Sequence, residues 1–380
     1  MGRDGAWLDR MSHASGRASL RDRREAPGRP FLELPRLAAA LLLALLTAAL
    51  GWSVLAAAPT VSAGPARVTA GASPAVTDRV RGDMALYARI HSRMTAGEGY
   101  YAAAVSEQRA SRYPTRPFVA VRLPTLAWVQ TAIGTGGVRL AAFALALASL
   151  WAMNARANPL ASRPELVAAS MLLALGSGAA FSPVAVFDHD FIAGLLLTLA
   201  LLAYRRACWW PALLAAGAAL AVRELAAPFV LLWLAFALIG QRWREAGGIA
   251  ALLAICAGGM ALHAAAVDAA RLPGDLASQG WSGLAGFGLP ITALGQLTGL
   301  RLLPASIAAP LAILPMIGWA AIGGRTGLFA ALYFIGIAAM MALFARPENY
   351  YWVQIALPAY ALGLAFAPRG IGDLVQRASR

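Results

Sequence analysis

The chain has 380 residues, of which 59% are hydrophobic and only 13% are charged. A soluble domain carries about twice that charged fraction, so the composition excludes an ordinary soluble protein and predicts an integral membrane protein with several spans. All 32 basic residues are arginine and exceed the 18 acids to give a net charge of +14. In a membrane protein this excess favours membrane lipids, not nucleic acid, as the anionic partner.

The chain begins with an arginine-rich tail, residues 1–36, which is predicted to be disordered and cytoplasmic. The first apolar run, Leu37 to Ala58, is long enough to cross a bilayer, which takes about 20 residues. Its end, Ala56-Ala57-Ala58, resembles the cleavage site of a secretory signal, but the charged stretch in front is much longer than a signal carries. We therefore favour a retained anchor, with a cleaved signal as the alternative.

Residues 59–137 form a long loop before the next apolar run and are predicted to be extracytoplasmic. Thr60 to Pro74 is rich in Ala, Gly, Ser and Pro, which indicates a linker. Asp83 to Met94 and Tyr100 to Arg109 indicate short amphipathic helices.

Nine further apolar runs follow, so the sequence predicts an all-α fold with about ten transmembrane helices in a domain covering 37–367. Arginines cluster in alternate connections, which are therefore predicted to be cytoplasmic together with both termini, including the tail 368–380. The nine runs are Val138 to Met153, Leu166 to Phe187, Phe191 to Tyr204, Pro211 to Val222, Leu225 to Gly240, Gly248 to Val267, Leu302 to Ile322, Gly327 to Phe344 and Tyr351 to Ala367.

The stretch Pro211 to Gly240 is short for two spans, and one long helix is the alternative. A single helix would move every later arginine cluster to the other side and place Arg223 and Glu224 near the bilayer centre. We therefore predict two short helices that meet at Arg223-Glu224. The later loop from about Asp268 to Arg301, with aromatic residues among glycines, indicates an interfacial or re-entrant segment.

The first candidate site residues lie in the long loop. Asp83, Tyr87 and His91 recur every four residues and share one helical face, which presents a carboxylate, a phenol and an imidazole. The alternative is that Asp83 only caps a helix whose aromatic residues pack at the membrane surface. Arg116 and Arg122 stand beside prolines, and their planar guanidinium groups suit phosphate oxygens.

A second candidate is Asp188-His189-Asp190, a polar turn between two predicted spans. Asp188 and Asp190 can share a divalent metal ion or orient a sugar, and the alternative is that they cap the helix that follows. The sequence predicts no cofactor with certainty. A divalent metal at Asp188 and Asp190 is the one cofactor that it suggests.

The remaining candidates are Glu224 and the group Arg346, Glu348 and Tyr350, each near a predicted membrane boundary. The alternative is a self-neutralising ion pair within an aromatic belt. The predicted topology places the five acidic positions on the extracytoplasmic face, which suggests an active site at the water boundary. These positions are Asp83, Asp188, Asp190, Glu224 and Glu348.

These motifs have a known counterpart. A first external loop with Gly82-Asp83, Tyr87 four residues on, a Met-x-x-Gly-x-x-Tyr segment and Arg116-Pro117 resembles the GT-C superfamily of polyprenyl-phosphate-sugar-dependent glycosyltransferases. That superfamily includes protein mannosyltransferases and the lipid A aminoarabinose transferase. The resemblance covers roughly Leu37 to Gly240 in motif order and the whole chain in hydrophobic layout.

The resemblance implies a sugar transfer from a polyprenyl-phosphate-linked donor to an envelope glycan, lipid or protein. Asp83 matches the essential acid of the first external loop, and Asp188 with Asp190 matches a second acidic motif. Arg116, Arg122 and Arg346 become candidates to bind the carrier phosphate. The sequence has Asp83-Met84 where an Asp-Glu pair is common, which leaves the acceptor class open.

The chemistry suits an inverting transfer, because an acceptor hydroxyl needs a carboxylate base and the departing lipid phosphate needs positive charge. A multi-pass transporter or flippase of a lipid-linked or anionic substrate is the main alternative, and a noncatalytic scaffold is a third. The arginine-only composition suggests a bacterial inner membrane.

Overall fold

A computed structural model describes residues 28–62, 74–155 and 161–380, and within these ranges it describes no side chains for 57–62 and 74–81. Most of the basic tail, most of the predicted linker Thr60 to Pro74 and the connection at Arg156 lie outside the described residues.

The described chain is all-helical and contains no β-strand, which confirms the predicted fold class. The α-helices are α1 Arg36–Ser62, α2 Pro74–Thr95, α3 Tyr100–Ala110, α4 Thr125–Asn154, α5 Arg163–Gly176, α6 His189–Ala203, α7 Trp210–Val222, α8 Ala227–Ile239, α9 Trp243–Ala270, α10 Gly288–Leu297, α11 Ala305–Ile322, α12 Gly324–Phe344, α13 Leu357–Tyr360 and α14 Ala367–Ser379. Short 3₁₀ segments, including Ala185–Phe187, Glu224–Ala226 and Pro347–Ile355, join them.

Five described helices are long and apolar enough to cross a membrane, and a pair bent by 66° makes a sixth candidate. The five stretches are Arg36–Ala56, Phe118–Asn154, Trp243–Ala270, Ala305–Ile322 and Gly324–Phe344, and the bent pair is Pro347–Ile355 with Leu357–Ser379. Helices α6 and α7 and the stretch Glu224–Ile239 are apolar but shorter. These helices are compatible with a membrane protein, and the count of ten spans stays a prediction.

Two of the predicted apolar runs are broken in the structure. The run Leu166 to Phe187 is α-helical only as far as Gly176 and continues in short 3₁₀ segments, because Gly178 and Pro183 follow and proline cannot supply the helical N–H. The run Tyr351 to Ala367 is divided between 3₁₀ turns and the single turn α13, which begins next to Pro358.

Helix α6 lies at the centre of the fold, and nearly all of its residues are buried. It packs against α4, α7, α13 and the segment Pro347–Ile355. The closest approach is at Gly194, where an added Cβ would lie 2.6 Å from the carbonyl oxygen of Gln354. A side chain cannot be accommodated there, so this glycine sets how deeply the segment Pro347–Ile355 sits against α6.

The two ends of the described chain lie together. Arg29 pairs with Asp373 of α14, and its Nε donates to Asp373 Oδ2 at 3.0 Å. Phe31, which precedes α1, and Leu374 of α14 are buried in the same small apolar cluster. Arg36 of α1 donates to the carbonyl oxygen of Ala378 in α14 at 3.1 Å, so the first and last helices also contact each other directly.

The long loop contains the two helices that the sequence predicts, although α2 begins earlier, at Pro74. Arg93 holds them together because its guanidinium donates to Glu98 at 2.6 Å and to Glu107 at 3.0 Å. The later loop also folds back, since Arg109 of α3 binds Asp275 through two hydrogen bonds of 2.5 and 2.9 Å. This contact lowers the pKa of Asp275 to about 2.

The contact at Gly194 predicts a specific loss of stability. We expect Gly194→Ala to lower the free energy of unfolding by about 1–3 kcal/mol, because its Cβ would meet backbone and not a movable side chain. Gly336→Ala in α12 is the matched control, since no atom lies within 4 Å of its added Cβ. Thermal unfolding of both purified variants measures the difference, and equal melting temperatures would show that the close packing is not required.

Candidate active site

A polar pocket forms where α2, the start of α6 and the segment Pro347–Ile355 meet. We call it the acid pocket, and its volume of about 10 Å³ leaves room for about one water molecule. Its lining residues are Asp83, Met84, Tyr87, Arg122, Asp188, His189, Asp190, Tyr351 and Gln354.

Arg122 links the elements of the acid pocket. Its Nε donates to the Tyr87 hydroxyl at 3.0 Å, and its Nη2 donates to the Tyr351 hydroxyl at 3.4 Å. The carboxylate of Asp190 lies 3.9 Å from the same Nη2. Burial raises the pKa of Tyr87, so Arg122 donates there to a neutral phenol.

Asp190 is bound more closely by another cation. Arg223 Nε donates to Asp190 Oδ1 at 2.8 Å, and both side chains are almost fully buried. The Arg223 guanidinium also binds the neighbouring Glu224. Arg223 therefore bridges two carboxylates that lie 34 positions apart in the sequence.

Asp188 has a different role at the start of the same helix. Its Oδ1 accepts from the backbone N–H of Phe191 at 3.0 Å and so caps α6. Burial, and then the nearby charge of Asp190, raises the pKa of Asp188 to about 7. The capping alternative is thus realised, and the same carboxyl group also lines the acid pocket.

The acid pocket lies beside a much larger cavity of about 600 Å³, which we call the large cavity. Four residues line both spaces, namely Asp83, Tyr87, Arg122 and Tyr351. Arg223 and Glu224 line the large cavity but not the acid pocket. Of these two spaces, only the large cavity can hold a substrate larger than water.

The structure brings together most of the residues that the sequence singled out. Asp83, Tyr87, Arg122, Asp188, Asp190 and Glu224 line one or both spaces. Tyr350 is buried beside them, with its ring 6.3 Å from that of Tyr351.

Besides Tyr350, four predicted site residues line neither space. His91 packs with its ring 6.1 Å from Phe187, and Arg116 is exposed, with its backbone bonded to the loop at Leu276 and Ser278. Glu348 is exposed, and Arg346 binds Gln279 through both the side chain and the backbone oxygen, the latter at 2.8 Å.

Sequence reasoning missed three contributors. The sequence places Arg223 next to Glu224 and so indicates only that pair. Its contact with Asp190 depends on the packing of α6 against α7. Tyr351 resembles any residue of an aromatic belt. Gln354 carried the clearest signal, because it is a lone amide inside the apolar run Tyr351 to Ala367.

In the part of the chain that the structure describes, no group of three or more His, Cys, Asp and Glu side chains is placed to hold a metal ion. Asp190 is engaged by Arg223 and Asp188 by a backbone N–H. A divalent metal at these two residues stays an untested prediction.

Comparison with protein-family profiles, with curated proteins and with solved structures finds no match to this chain.

The raised pKa of Asp188 predicts a pH-dependent effect on stability. An ordinary carboxyl of this type has a pKa of 3.8, so between about pH 4 and 7 the unfolded chain loses this proton first and stability falls as the pH rises. Asn at this position can still cap the helix but carries no charge.

We therefore expect the melting temperature of Asp188→Asn, relative to the unsubstituted protein, to rise steadily from about pH 4 to about pH 7 and then to level off. Differences in melting temperature at several pH values test this, because other titrating groups cancel in the comparison. A margin that does not change with pH would contradict it.

Proposed function

We propose that this chain is a multi-pass glycosyltransferase that moves a sugar from a polyprenyl-phosphate-linked donor to an envelope acceptor, with inversion, at the extracytoplasmic face of a bacterial inner membrane. The observation that carries the proposal is the meeting of two acids and two arginines in the lining of one substrate-sized cavity. These residues are Asp83, Glu224, Arg122 and Arg223.

The proposed reaction is a direct displacement at the anomeric carbon. Asp83 accepts the proton of the acceptor hydroxyl, whose oxygen forms the new glycosidic bond. The bond from the anomeric carbon to the donor oxygen breaks, and its electron pair leaves with the lipid phosphate. Arg122 stabilises that phosphate, which is supported by its hydrogen bonds to two tyrosine hydroxyls and by the distance of 3.9 Å between it and the Asp190 carboxylate.

A second cavity, of about 410 Å³, supports a lipid-linked donor. It is lined almost entirely by apolar side chains from α1, α10, α11, α12 and the segment after Tyr351. Met340 and Trp352 line the large cavity, while the adjacent Met341 and Val353 line this apolar one. An isoprenoid chain in the apolar cavity would therefore have its phosphate end near the reacting groups.

Long-range contacts support the ten-span topology, because they fall into two sets. The set predicted to be cytoplasmic contains Arg29 with Asp373, Arg369 with Glu165 at 3.3 Å, and Arg325 with Glu245 at 3.5 Å. Arg29 precedes α1 and Asp373 lies in α14, so a contact between them requires an even number of membrane crossings from one residue to the other.

The second set of contacts lies at the site, where Arg223 meets Asp190. Together the two sets support four crossings by the shorter helices. Helix α5 runs from Glu165, beside Arg369, toward the acid pocket, and α6 returns from Asp190 to Tyr204, whose hydroxyl donates to Glu245 at 3.4 Å. Helix α7 leads back to Arg223 in the site, and α8 returns to the arginines that follow it.

The length of these helices implies a recessed site. Helix α6 has 15 residues, which corresponds to ~22 Å at 1.5 Å per residue and is less than the ~30 Å hydrocarbon layer. A span this short places its Asp190 end below the outer membrane boundary, where water is scarce and paired charges are required.

The topology can be tested by labelling single cysteines with a membrane-impermeant maleimide in a chain whose Cys208 and Cys256 have been replaced. We expect Glu348→Cys to react in intact spheroplasts, because the residue is exposed and predicted to be outside. Ser379→Cys, exposed at the C-terminal end, should react only after lysis. Labelling of both positions from the same side would contradict the ten-span topology.

The reaction is tested by Asp83→Asn. Cells that lack the gene should lose one glycosylated envelope component, detected by mass spectrometry of lipid and envelope extracts. We expect Asp83→Asn to restore at most about 1% of that product, since loss of a general base costs roughly 10²–10⁴-fold.

The matched control is Asp268→Asn, because Asp268 lies near the end of α9, is 58% exposed and pairs with Arg271 away from both cavities. It should restore the product fully at equal protein level. Full restoration by Asp83→Asn would remove the proposed mechanism, and movement of a lipid-linked sugar across liposomes without product would favour the transporter.

A further inference from the structure

The large cavity contains groups that the proposed displacement does not use. Gln108 of α3, Ser278 and Trp281 line it, and none of the three lines the acid pocket or the apolar cavity. Their chemistry indicates what lies beside the reacting centre.

The side-chain oxygen of Gln108 is a hydrogen-bond acceptor without a donor. Its side chain is only 4% exposed, and its Nε2 donates to the carbonyl oxygen of Ala120 at 3.0 Å. That bond fixes the orientation of the amide, because a carbonyl oxygen can bind only the N–H side. The other atom, Oε1, is buried without a hydrogen-bond partner, which is costly unless a ligand supplies an O–H or N–H group.

Trp281 and Ser278 supply complementary contacts. The indole of Trp281 is 41% exposed while lining the cavity, so one part of its apolar surface faces open space. Ser278 accepts a hydrogen bond from the Gly280 N–H at 3.3 Å, so its own hydroxyl proton is directed to another acceptor. A sugar ring has both an apolar C–H face for an aromatic side chain and hydroxyls for Gln and Ser.

The loop that carries these groups is held firmly in place. Asp275 is clamped by Arg109, and the Ser278 N–H donates to the Arg116 carbonyl oxygen at 2.6 Å. At Gly283 an added Cβ would clash with the backbone of Ala345, so the chain packs tightly there as well. A wall held at several points is preorganised for a ligand.

Charge also limits the ligand. The charged residues that line the large cavity are two acids and two arginines, whose formal charges cancel. The wall formed by Gln108, Ser278 and Trp281 adds no charge of its own, which suits a neutral polyhydroxyl compound there. The volume of about 600 Å³ lies within the roughly 300–1,000 Å³ of ligand pockets.

We propose that this wall, formed by Gln108, Ser278 and Trp281, is a carbohydrate subsite that binds the acceptor, so that the acceptor is itself a glycan and not a protein side chain or a simple lipid. The inference rests on the proposed function, because it assigns the acceptor of that same reaction. Gln108 Oε1 accepts from a sugar hydroxyl, and the sugar ring stacks on Trp281.

The test uses the purified full chain in nanodiscs on a microarray of defined oligosaccharides, followed by affinity measurement for the glycan that binds best. We expect Trp281→Ala and Gln108→Leu each to weaken that affinity at least tenfold, and Trp281→Phe to retain part of it. Trp128→Ala is the control, since Trp128 is 53% exposed and lines neither cavity of the site. Melting temperatures of all variants identify any that fail to fold, and Trp281→Phe then serves as the deciding variant.

Binding of no glycan by the unsubstituted protein, or glycan binding that neither substitution weakens, would overturn the subsite. Binding and turnover of a polyprenyl-phosphate-linked sugar are measured in the same preparations. Donor turnover without any glycan binding would refute the subsite and leave the proposed transferase standing. Glycan binding that depends on Trp281 and Gln108, without donor turnover, would support the subsite and refute the transferase.

Discussion

Asp190 and Arg223 face each other at 2.8 Å with only 4% and 3% of their side chains exposed. Neither charge is tolerable alone at that depth, because the cost of removing an ion from water is met only by a close partner of opposite sign. Asp190 lies in the first turn of α6 and Arg223 directly follows α7. The pair therefore fixes how these two helices meet at one end. Glu224 and Arg122 extend this pairing to α8 and to the start of α4.

The paired charges lie among three spaces that differ in size and polarity. The acid pocket is too small for a substrate, and its side chains orient one another through hydrogen bonds. The large cavity shares four residues with it and has room for a substrate. The apolar cavity lies next along the chain at Met341 and Val353 and excludes polar groups almost completely. Under the proposed function, these spaces hold the reacting centre, the sugars and the lipid tail.

The short helices connect the site to the opposite end of the molecule. Helices α6, α7 and α8 have 13 to 15 residues each, so the residues at their ends lie closer together than the two surfaces of a bilayer. A recessed site is consistent with the effect of burial on Asp188, whose pKa is raised because water is excluded from its carboxyl group. It also explains why the arginines there are bonded to tyrosines and acids and do not extend to solvent.

Composition and periodicity determined the helical class and the positions of the apolar segments, because each helix depends on its own local run of residues. They also identified Asp83, Arg122, Asp188, Asp190 and Glu224, since charges beside apolar runs stand out in a sequence. The tertiary structure decided which of the candidates meet. It placed Glu348, Arg116 and Arg346 outside the cavities, and it brought in Arg223, Gln354 and Trp281. These outcomes depend on close contacts between distant segments, such as Gly194 against the backbone at Gln354, and no local pattern encodes such distances.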